Sequence, residues 1–481
     1  MEILPIRIEL PPKGSRTLRE SILLQMKRAI VDGRLVAGLL LPPTRELARH
    51  LGVARNTIVG IYDNLLSEGY VETRLGSGTF VAKRAMRLTP NQGNGRNTSD
   101  LRLVPYFRTV GVVSPDLAQE AEFDLRLGHP DKSQFPFDVW RRLSNRALRT
   151  LERAPPVPMG PHGHPALCNA IAGHISFARA VACNPGDVIV TAGAQQAFGL
   201  IARILVEPGK TIVAVEDPGY PPLRQAFAAA GAKIAPVPLD HEGLRVDLIP
   251  DEAKIVCVTP SNQMPMGMSM SFARRMALLD RVHQTGGVIV EDDYEGEFRF
   301  AGRPLEALQT LDNRERVFYV GTFTKCMFPA LRLGYAVGPN WARPALAMAK
   351  QLADWHCPGA QQETMAAFIS EGHLVRHVRR MRLAYQHKRE LLIGALRLHL
   401  PQLEMRLTAP GLHVSATLSG TIPAGLLVTA AGNQKLRFED LSRFVVRRDQ
   451  KSNGIVFGYG LIDAEKILPA VETLKDVMAS L

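Results

Sequence analysis

Apolar residues recur at helical spacing close to the N-terminus. Between residues 15 and 31, Leu18, Ile22, Leu23, Met26 and Ile30 share one face, and Gly33 ends the run. The stretch LPPTRELARHLGV, residues 41–53, predicts a shorter second helix. Thr44 is its expected cap and Gly52 its expected left-handed stop. Residues 54–66 predict a third helix, with Ile58, Ile61, Tyr62 and Leu65 as the inward stripe. Two short helices joined by a tight glycine-containing turn form a helix-turn-helix unit. After Gly69 the period falls to two: residues 70–74 and 79–81 alternate around Leu75-Gly76-Ser77-Gly78, which predicts a β-hairpin, or wing.

Periodicity then vanishes. Residues 90–99, PNQGNGRNTS, are polar and glycine-rich, and so long a polar run predicts a flexible tether rather than a loop inside one domain. From Phe123 onward, apolar runs at 188–190, 211–215, 255–258, 288–290, 317–320 and 335–337 alternate with helical stretches. That alternation predicts an α/β fold with a mostly parallel sheet, flanking helices and ligand groups at the carboxyl ends of the strands. The expected division is a small winged helix-turn-helix domain over 1–82, a flexible linker over 83–121 and a large domain over 122–481.

Composition narrows the setting. No apolar run is long enough to cross a bilayer, and the N-terminus lacks the basic-then-apolar pattern of a secretory signal. The five cysteines are scattered and never form a Cys-x-x-Cys pair, which argues for a reducing cytoplasm without disulfides or a zinc site. A cytoplasmic protein with no membrane partner is expected. The net charge of +12 permits a polyanionic partner without requiring one.

Arg55, Asn56 and Thr57 open the third helix, where side chains would meet base edges, while Arg45 and Arg49 suit phosphate contacts. The competing reading is a three-helix module for protein contacts. The whole run PPTRELARHLGVARNTIVGIYDNLLSEGYVETRLGSGTFV resembles the winged helix of GntR-type bacterial transcription regulators. The resemblance implies double-stranded promoter DNA as a partner and places Arg45, Arg55, Asn56, Thr57 and Gly76 at DNA-contacting positions. Pro43 departs from the serine that the family more often carries.

In the large domain the informative residues fall at strand ends. Lys325 sits in a loop of glycine and threonines after an apolar strand, with Arg332 seven positions on; a lone lysine in such a loop is usually a solvated charge, but this setting suits a partly desolvated amine nucleophile. Gly193-Ala194-Gln195 follows a strand and opens a helix, a backbone anion site. Tyr220 offers an aromatic face, Asn262-Gln263 two amides, and Glu291-Asp292-Asp293-Tyr294 three acids and a phenol. No histidine stands near the three carboxylates at ligand spacing, so no metal site is expected. A phosphate site, a stacking ring, an acid for a pyridinium nitrogen, an amide for a phenol oxygen and a Schiff-base lysine together match pyridoxal 5'-phosphate.

The order and spacing resemble fold-type I aminotransferases, and the layout as a whole resembles the MocR-type (GabR- and PdxR-like) regulators. Gly128-His129-Pro130-Asp131, Gly302-Arg303-Pro304-Leu305 and the run from Phe328 to Tyr335 belong to that likeness. Carried over by position, Lys325 binds the cofactor aldehyde as an aldimine, Asp292 pairs with the ring nitrogen and Tyr294 meets the phenol oxygen. Tyr220 stacks, and Ala194, Gln195, Thr322 and Arg332 surround the phosphate. Asn262 or Gln263 supplies the amide. Two departures stand out: Pro158-Met159-Gly160-Pro161-His162 lacks a tyrosine that relatives carry, and Val456 stands where many aminotransferases hold a carboxylate-binding arginine. Arg443 is the substitute candidate for binding an effector carboxylate; surface charge is its alternative. The resemblance implies a head-to-tail homodimer and a regulator that senses the cofactor or a small amino-compound. The competing class is an active aminotransferase with an accessory DNA-binding domain.

Overall fold

The computed structural model describes residues 3–12, 17–74, 76–82, 102–109, 121–155, 157–298, 306–406, 411–420, 422–447 and 453–481. The 90–99 tether stretch, Leu75 and the 302–305 motif lie outside the described residues. The chain separates into two compact units, residues 1–100 and 101–481, with the division inside the expected tether.

In the first unit the helices Leu18–Val31, Thr44–Leu51 and Arg55–Ser67 precede the antiparallel strands Val71–Arg74 and Gly78–Val81. Ile22, Met26, Leu47, Ile58, Ile61 and Leu65 are fully buried, so the helical stripes do form the core. The buried Tyr62 hydroxyl donates to the Pro42 carbonyl at 2.8 Å, tying the third helix to the entry of the second. Gly52 closes the second helix at φ +66, as a left-handed stop requires. The expected Thr44 cap is corrected. Pro43 occupies the N-cap and Thr44 is the first helical residue, with no side-chain cap bond. Proline has the extended backbone that an N-cap needs but no side-chain oxygen to bond the free N–H groups.

The second unit is built on an eight-stranded sheet. In spatial order its strands are Val188–Thr191, Gly334–Val337, Val317–Thr322, Val288–Asp293, Ala253–Val258, Ile212–Asp217, Lys233–Asp240 and Gly243–Leu244. Gly334–Val337 runs antiparallel to both neighbours and Gly243–Leu244 is antiparallel to its one partner; the other pairings are parallel. All six predicted strands are present. Lys233–Asp240 was not predicted, because Pro236 and Pro238 argue against a strand. It tolerates them because only Leu239 and Asp240 pair on its outer side.

Helices cover the sheet, and a second, four-stranded antiparallel sheet lies C-terminal to it, ordered Leu403–Arg406, His413–Leu418, Gly454–Gly458 and Glu439–Asp440. The long helix His373–His399 and the final helix Ile467–Ala479 pack together beside it. Within the stretch expected to be flexible, Pro105–Thr109 is instead a short helix packed on the helix Pro221–Ala229. Among the described residues no helix is long and apolar enough to cross a membrane.

Candidate cofactor site

The site grows from the carboxyl ends of the two central strands Val288–Asp293 and Val317–Thr322, which are parallel neighbours. Strand alternation sends the three consecutive acids to opposite faces. Glu291 accepts the backbone N–H groups of Leu308 and Gln309, at 2.9 and 3.0 Å. Asp293 accepts from Arg179 Nε and from the Tyr319 hydroxyl, both at 2.6 Å. Asp292 points the other way. It is 2% exposed, and among the described residues neither of its carboxylate oxygens has a hydrogen-bond partner. Burial, reinforced by Asp293, raises its pKa to about 8. A buried acid with two unused acceptors is costly unless something else completes it.

Asp292 opens into a pocket lined also by Ala194, Gln195, Tyr220, Met264, Tyr294, Thr322, Thr324, Lys325 and Arg332. Half-buried Lys325 donates from Nζ to the Gly128 carbonyl at 2.6 Å. Gly128 has φ +78, and a Cβ there would lie 2.7 Å from the lysine nitrogen, so any other residue would strain the backbone and displace the amine. Burial lowers the Lys325 pKa, while Glu295 and Asp292 pull it back up. The amine is therefore closer to its neutral, nucleophilic form than a solvated lysine.

The opposite end suits an anion. The helix Ala194–Leu205 starts at the cavity with Gly193 as N-cap (φ +81) and no side-chain cap bond, so its first N–H groups are available. Arg332, held at φ +49, lies against Gly193 and donates from Nη2 to the Ala192 carbonyl at 2.9 Å. The Thr322 hydroxyl donates to Thr324 Oγ1 at 3.0 Å. Tyr220 is the N-cap of the helix Pro221–Ala229, and burial pushes its phenol up.

The two amides separate. Gln263 Nε2 is taken up by Pro218 O, Met264 O and Glu216 Oε2 at 2.9, 2.8 and 3.1 Å, and its Oε1 accepts Met266 N–H at 3.0 Å. Its side chain thus braces the loop after Ala253–Val258. Asn262 Nδ2 reaches the Tyr294 hydroxyl at 3.3 Å, and its Oδ1 is buried and unpartnered. Neither amide lines the cavity, but Asn262 touches a residue that does.

Arg443 is not brought to the cavity. It lies in the turn Leu441–Phe444, exposed and ion-paired with Glu439. The neighbouring Arg447 is paired with Asp217 at 3.2 Å, and Arg448 lies outside the described residues. The position that would hold a carboxylate-binding arginine, Val456, is fully buried among Met264, Met266, Tyr294, Leu441 and Phe444.

Several residues here carried no local signal. Thr324 and Met264 line the cavity. Glu295 is buried with its pKa raised to about 7 by burial, and buried His413 is lowered to about 4, also chiefly by burial. The order EDDYE could have pointed to Glu295, being one further acid in the same turn. His413 had no such pointer.

On the first unit, Arg45, Arg49, Arg55 and Asn56 are exposed, Thr57 is half-buried, and Gly76 (φ +74) is exposed at the tip of the wing. The apolar face of the helix Arg55–Ser67 is buried, leaving its polar start in solvent.

A helix-turn-helix reader joined to an aminotransferase-type sheet with a lysine cavity defines the class: a regulator carrying an enzyme fold. Residues 18–81 match the gntR family of bacterial regulatory proteins, and residues 125–408 match the class I and II aminotransferases. The chain is 35% identical over 476 residues to the probable rhizopine catabolism regulatory protein MocR of Rhizobium meliloti, covering 95% of this chain and 93% of that one. It is 31% identical to the pyridoxine biosynthesis transcriptional regulator PdxR of Corynebacterium glutamicum, covering 98% of both. Among solved structures, the Pyrococcus horikoshii kynurenine aminotransferase matches with a TM-score of 0.70 at 25% identity, over 76% of this chain and 92% of that one. The chain belongs to the MocR-type transcription regulators, with a GntR-type DNA-binding domain and an aminotransferase-like domain whose fold implies pyridoxal phosphate.

Proposed function

We propose that this regulator holds pyridoxal 5'-phosphate on Lys325, and that occupancy of the cavity, or exchange of the cofactor onto a small amino-compound, changes its grip on promoter DNA. The observation that carries this reading is the Asp292 carboxylate, buried, unpartnered and facing a cavity that also holds a depressed lysine amine. The residues fit the group. Asp292 would hold a protonated ring nitrogen, Tyr220 would cover the ring, and Tyr294 with Asn262 would meet its phenol oxygen. The start of the helix Ala194–Leu205, Thr322 and Arg332 would hold the phosphate. When bound, the cofactor supplies an aldehyde that condenses with primary amines and a ring that stores electrons. Arg55, Asn56 and Thr57 would read base edges, with Arg45 and Gly76 on the backbone. The working form is a cytoplasmic head-to-tail homodimer whose paired readers span two half-sites. Linkage then requires the cofactor or amine to bind one arrangement of the readers better than the other.

The test is a promoter-fragment titration with and without pyridoxal phosphate, then with candidate amines. Wild-type protein should carry a visible absorbance band and change its DNA affinity, and Lys325→Ala should lose both. A Lys325→Ala variant that keeps band and response would overturn the reading. Turnover of an amino donor with a keto acid at about 1 s−1 or faster, the range of ordinary enzymes, would favour an aminotransferase instead.

A further inference from the structure

Ala192, at the turn into the anion end of the cavity, is tied through both of its backbone groups. Its carbonyl accepts Arg332 Nη2 at 2.9 Å, and its N–H donates to Gln196 Oε1 at 2.8 Å. Gln196 is the third residue of the helix Ala194–Leu205, so this bond ties the first helical turn to the chain that enters it. The same Oε1 accepts Lys350 Nζ at 2.8 Å, and Gln196 Nε2 donates to Asp354 Oδ2 at 2.8 Å. Gly334 lets the turn close on the sheet, since a Cβ there would stand 3.0 Å from Gly193 Cα.

Lys350 belongs to the helix Arg343–Asp354 and is fully buried. Besides Gln196, its ammonium donates to the Asp354 carboxylate at 2.7 Å and to Cys357 Sγ at 3.5 Å, so each of its three hydrogens has an acceptor. Cys357 is brought there by a γ-turn at Trp355 (φ +65, ψ −68), closed by the His356 N–H on the Asp354 carbonyl at 2.8 Å. That hand of γ-turn is rare and strained. A buried ammonium is costly unless it is paired and fully bonded, and here the bonds that satisfy it run to the turn beside the cavity.

We propose that Lys350 is a positioning residue for the cofactor phosphate: through Gln196 it holds the turn Ala192-Gly193-Ala194, so that the first N–H groups of the helix converge with Arg332 on one anion. This rests on the function proposed above and concerns only its phosphate end. The alternative is a brace between two helices, indifferent to what the cavity holds.

The test compares pyridoxal phosphate with pyridoxal, which shares the aldehyde and the ring but lacks the phosphate, by absorbance titration of the full-length, cofactor-free protein. Wild type should bind pyridoxal phosphate the more tightly. Lys350→Met fills the same space without a donor. It should weaken pyridoxal phosphate about tenfold, the scale of one hydrogen bond lost at the phosphate, and leave pyridoxal within about twofold of wild type. Gln196→Ala keeps the pair between Lys350 and Asp354 but unties Ala192, and it should give the same selective loss. A loss shared equally by the two ligands, or no loss of pyridoxal phosphate, overturns the proposal. Should Lys350→Met not fold, Gln196→Ala decides by the same outcomes. Wild type that binds neither ligand would strike the proposed function and this inference with it; wild type that binds both, with variants that lose both alike, strikes the inference alone.

Discussion

Asp292 is buried without a hydrogen-bond partner among the described residues, a cost that the proposed cofactor would offset. Its pKa is raised to about 8, and those of Glu216, Glu291 and Glu295 to about 7, in each case first by burial. All four bind protons in the folded state that they release on unfolding above their ordinary values of 3.8 and 4.5. The contribution of these four acids to the stability of the cofactor-free protein should therefore fall as pH climbs from about 4 through 7–8, offset in part below about pH 6.5 by buried His377 and His413, which are lowered to about 4 and act in the opposite sense. Thermal melts between pH 5 and 8.5 check this; a Tm that rises with pH contradicts it. Asp292→Asn removes the largest of these penalties. It should raise the stability of the empty protein at pH 8 by about 1–3 kcal/mol while weakening pyridoxal phosphate binding by about 10–100-fold, the worth of a hydrogen bond to a charged group. Calorimetry on the empty variant and a cofactor titration read the two effects separately. The cavity-lining Asp292, Lys325 and Tyr220 were legible in the sequence because each lies at or just after the carboxyl end of a strand, where an α/β fold places its ligands, and Arg332 only by its distance of seven positions from that lysine. Glu295 follows Asp292 and Tyr294 in the same turn and was passed over; what buries it is not local, since its partner Leu412 lies 117 residues away.

At the scale of elements, the apolar pattern located every helix of the reader and six strands of the large sheet. It missed the two-residue strand Gly243–Leu244 and Lys233–Asp240, where the prolines are acceptable only because of what lies beside the strand. Gly52 illustrates a local requirement. Nothing lies within 4 Å of where its Cβ would be, so Gly52→Ala should cost about 1 kcal/mol from the left-handed backbone alone, seen as a lower urea midpoint at unchanged slope. The helix Pro105–Thr109 illustrates a tertiary one. Tyr106 is desolvated beside Arg224, on the helix that begins at the cavity residue Tyr220, and Arg224 donates to the Phe444 carbonyl at 3.4 Å. Arg224→Ala should release this short helix and speed proteolytic cleavage within residues 102–109, with cofactor binding within about twofold of wild type. Cleavage at the wild-type rate would show that the docking does not depend on Arg224.

For the molecule as a whole, the division of labour between units makes separable predictions. Asn56→Ala or Arg55→Ala should weaken promoter binding by about 1–3 kcal/mol and relax sequence preference, without moving the Tm or the cofactor band. Arg45→Ala should weaken binding to all sequences alike and lower the salt slope by about 1. Fluorescence anisotropy on promoter and scrambled fragments across a salt series distinguishes them. The sequence by itself determined the two-part plan, the helix-turn-helix, the parallel sheet and the strand-end residues. These are set by apolar period and by glycine and proline placement among near neighbours. The tertiary structure decided which way each carboxylate of Glu291-Asp292-Asp293 faces, that Gln263 is a brace while Asn262 meets Tyr294, and that Arg443 is kept away from the cavity. Those outcomes depend on burial and on hydrogen-bond partners brought together from distant parts of the chain, which no local pattern encodes.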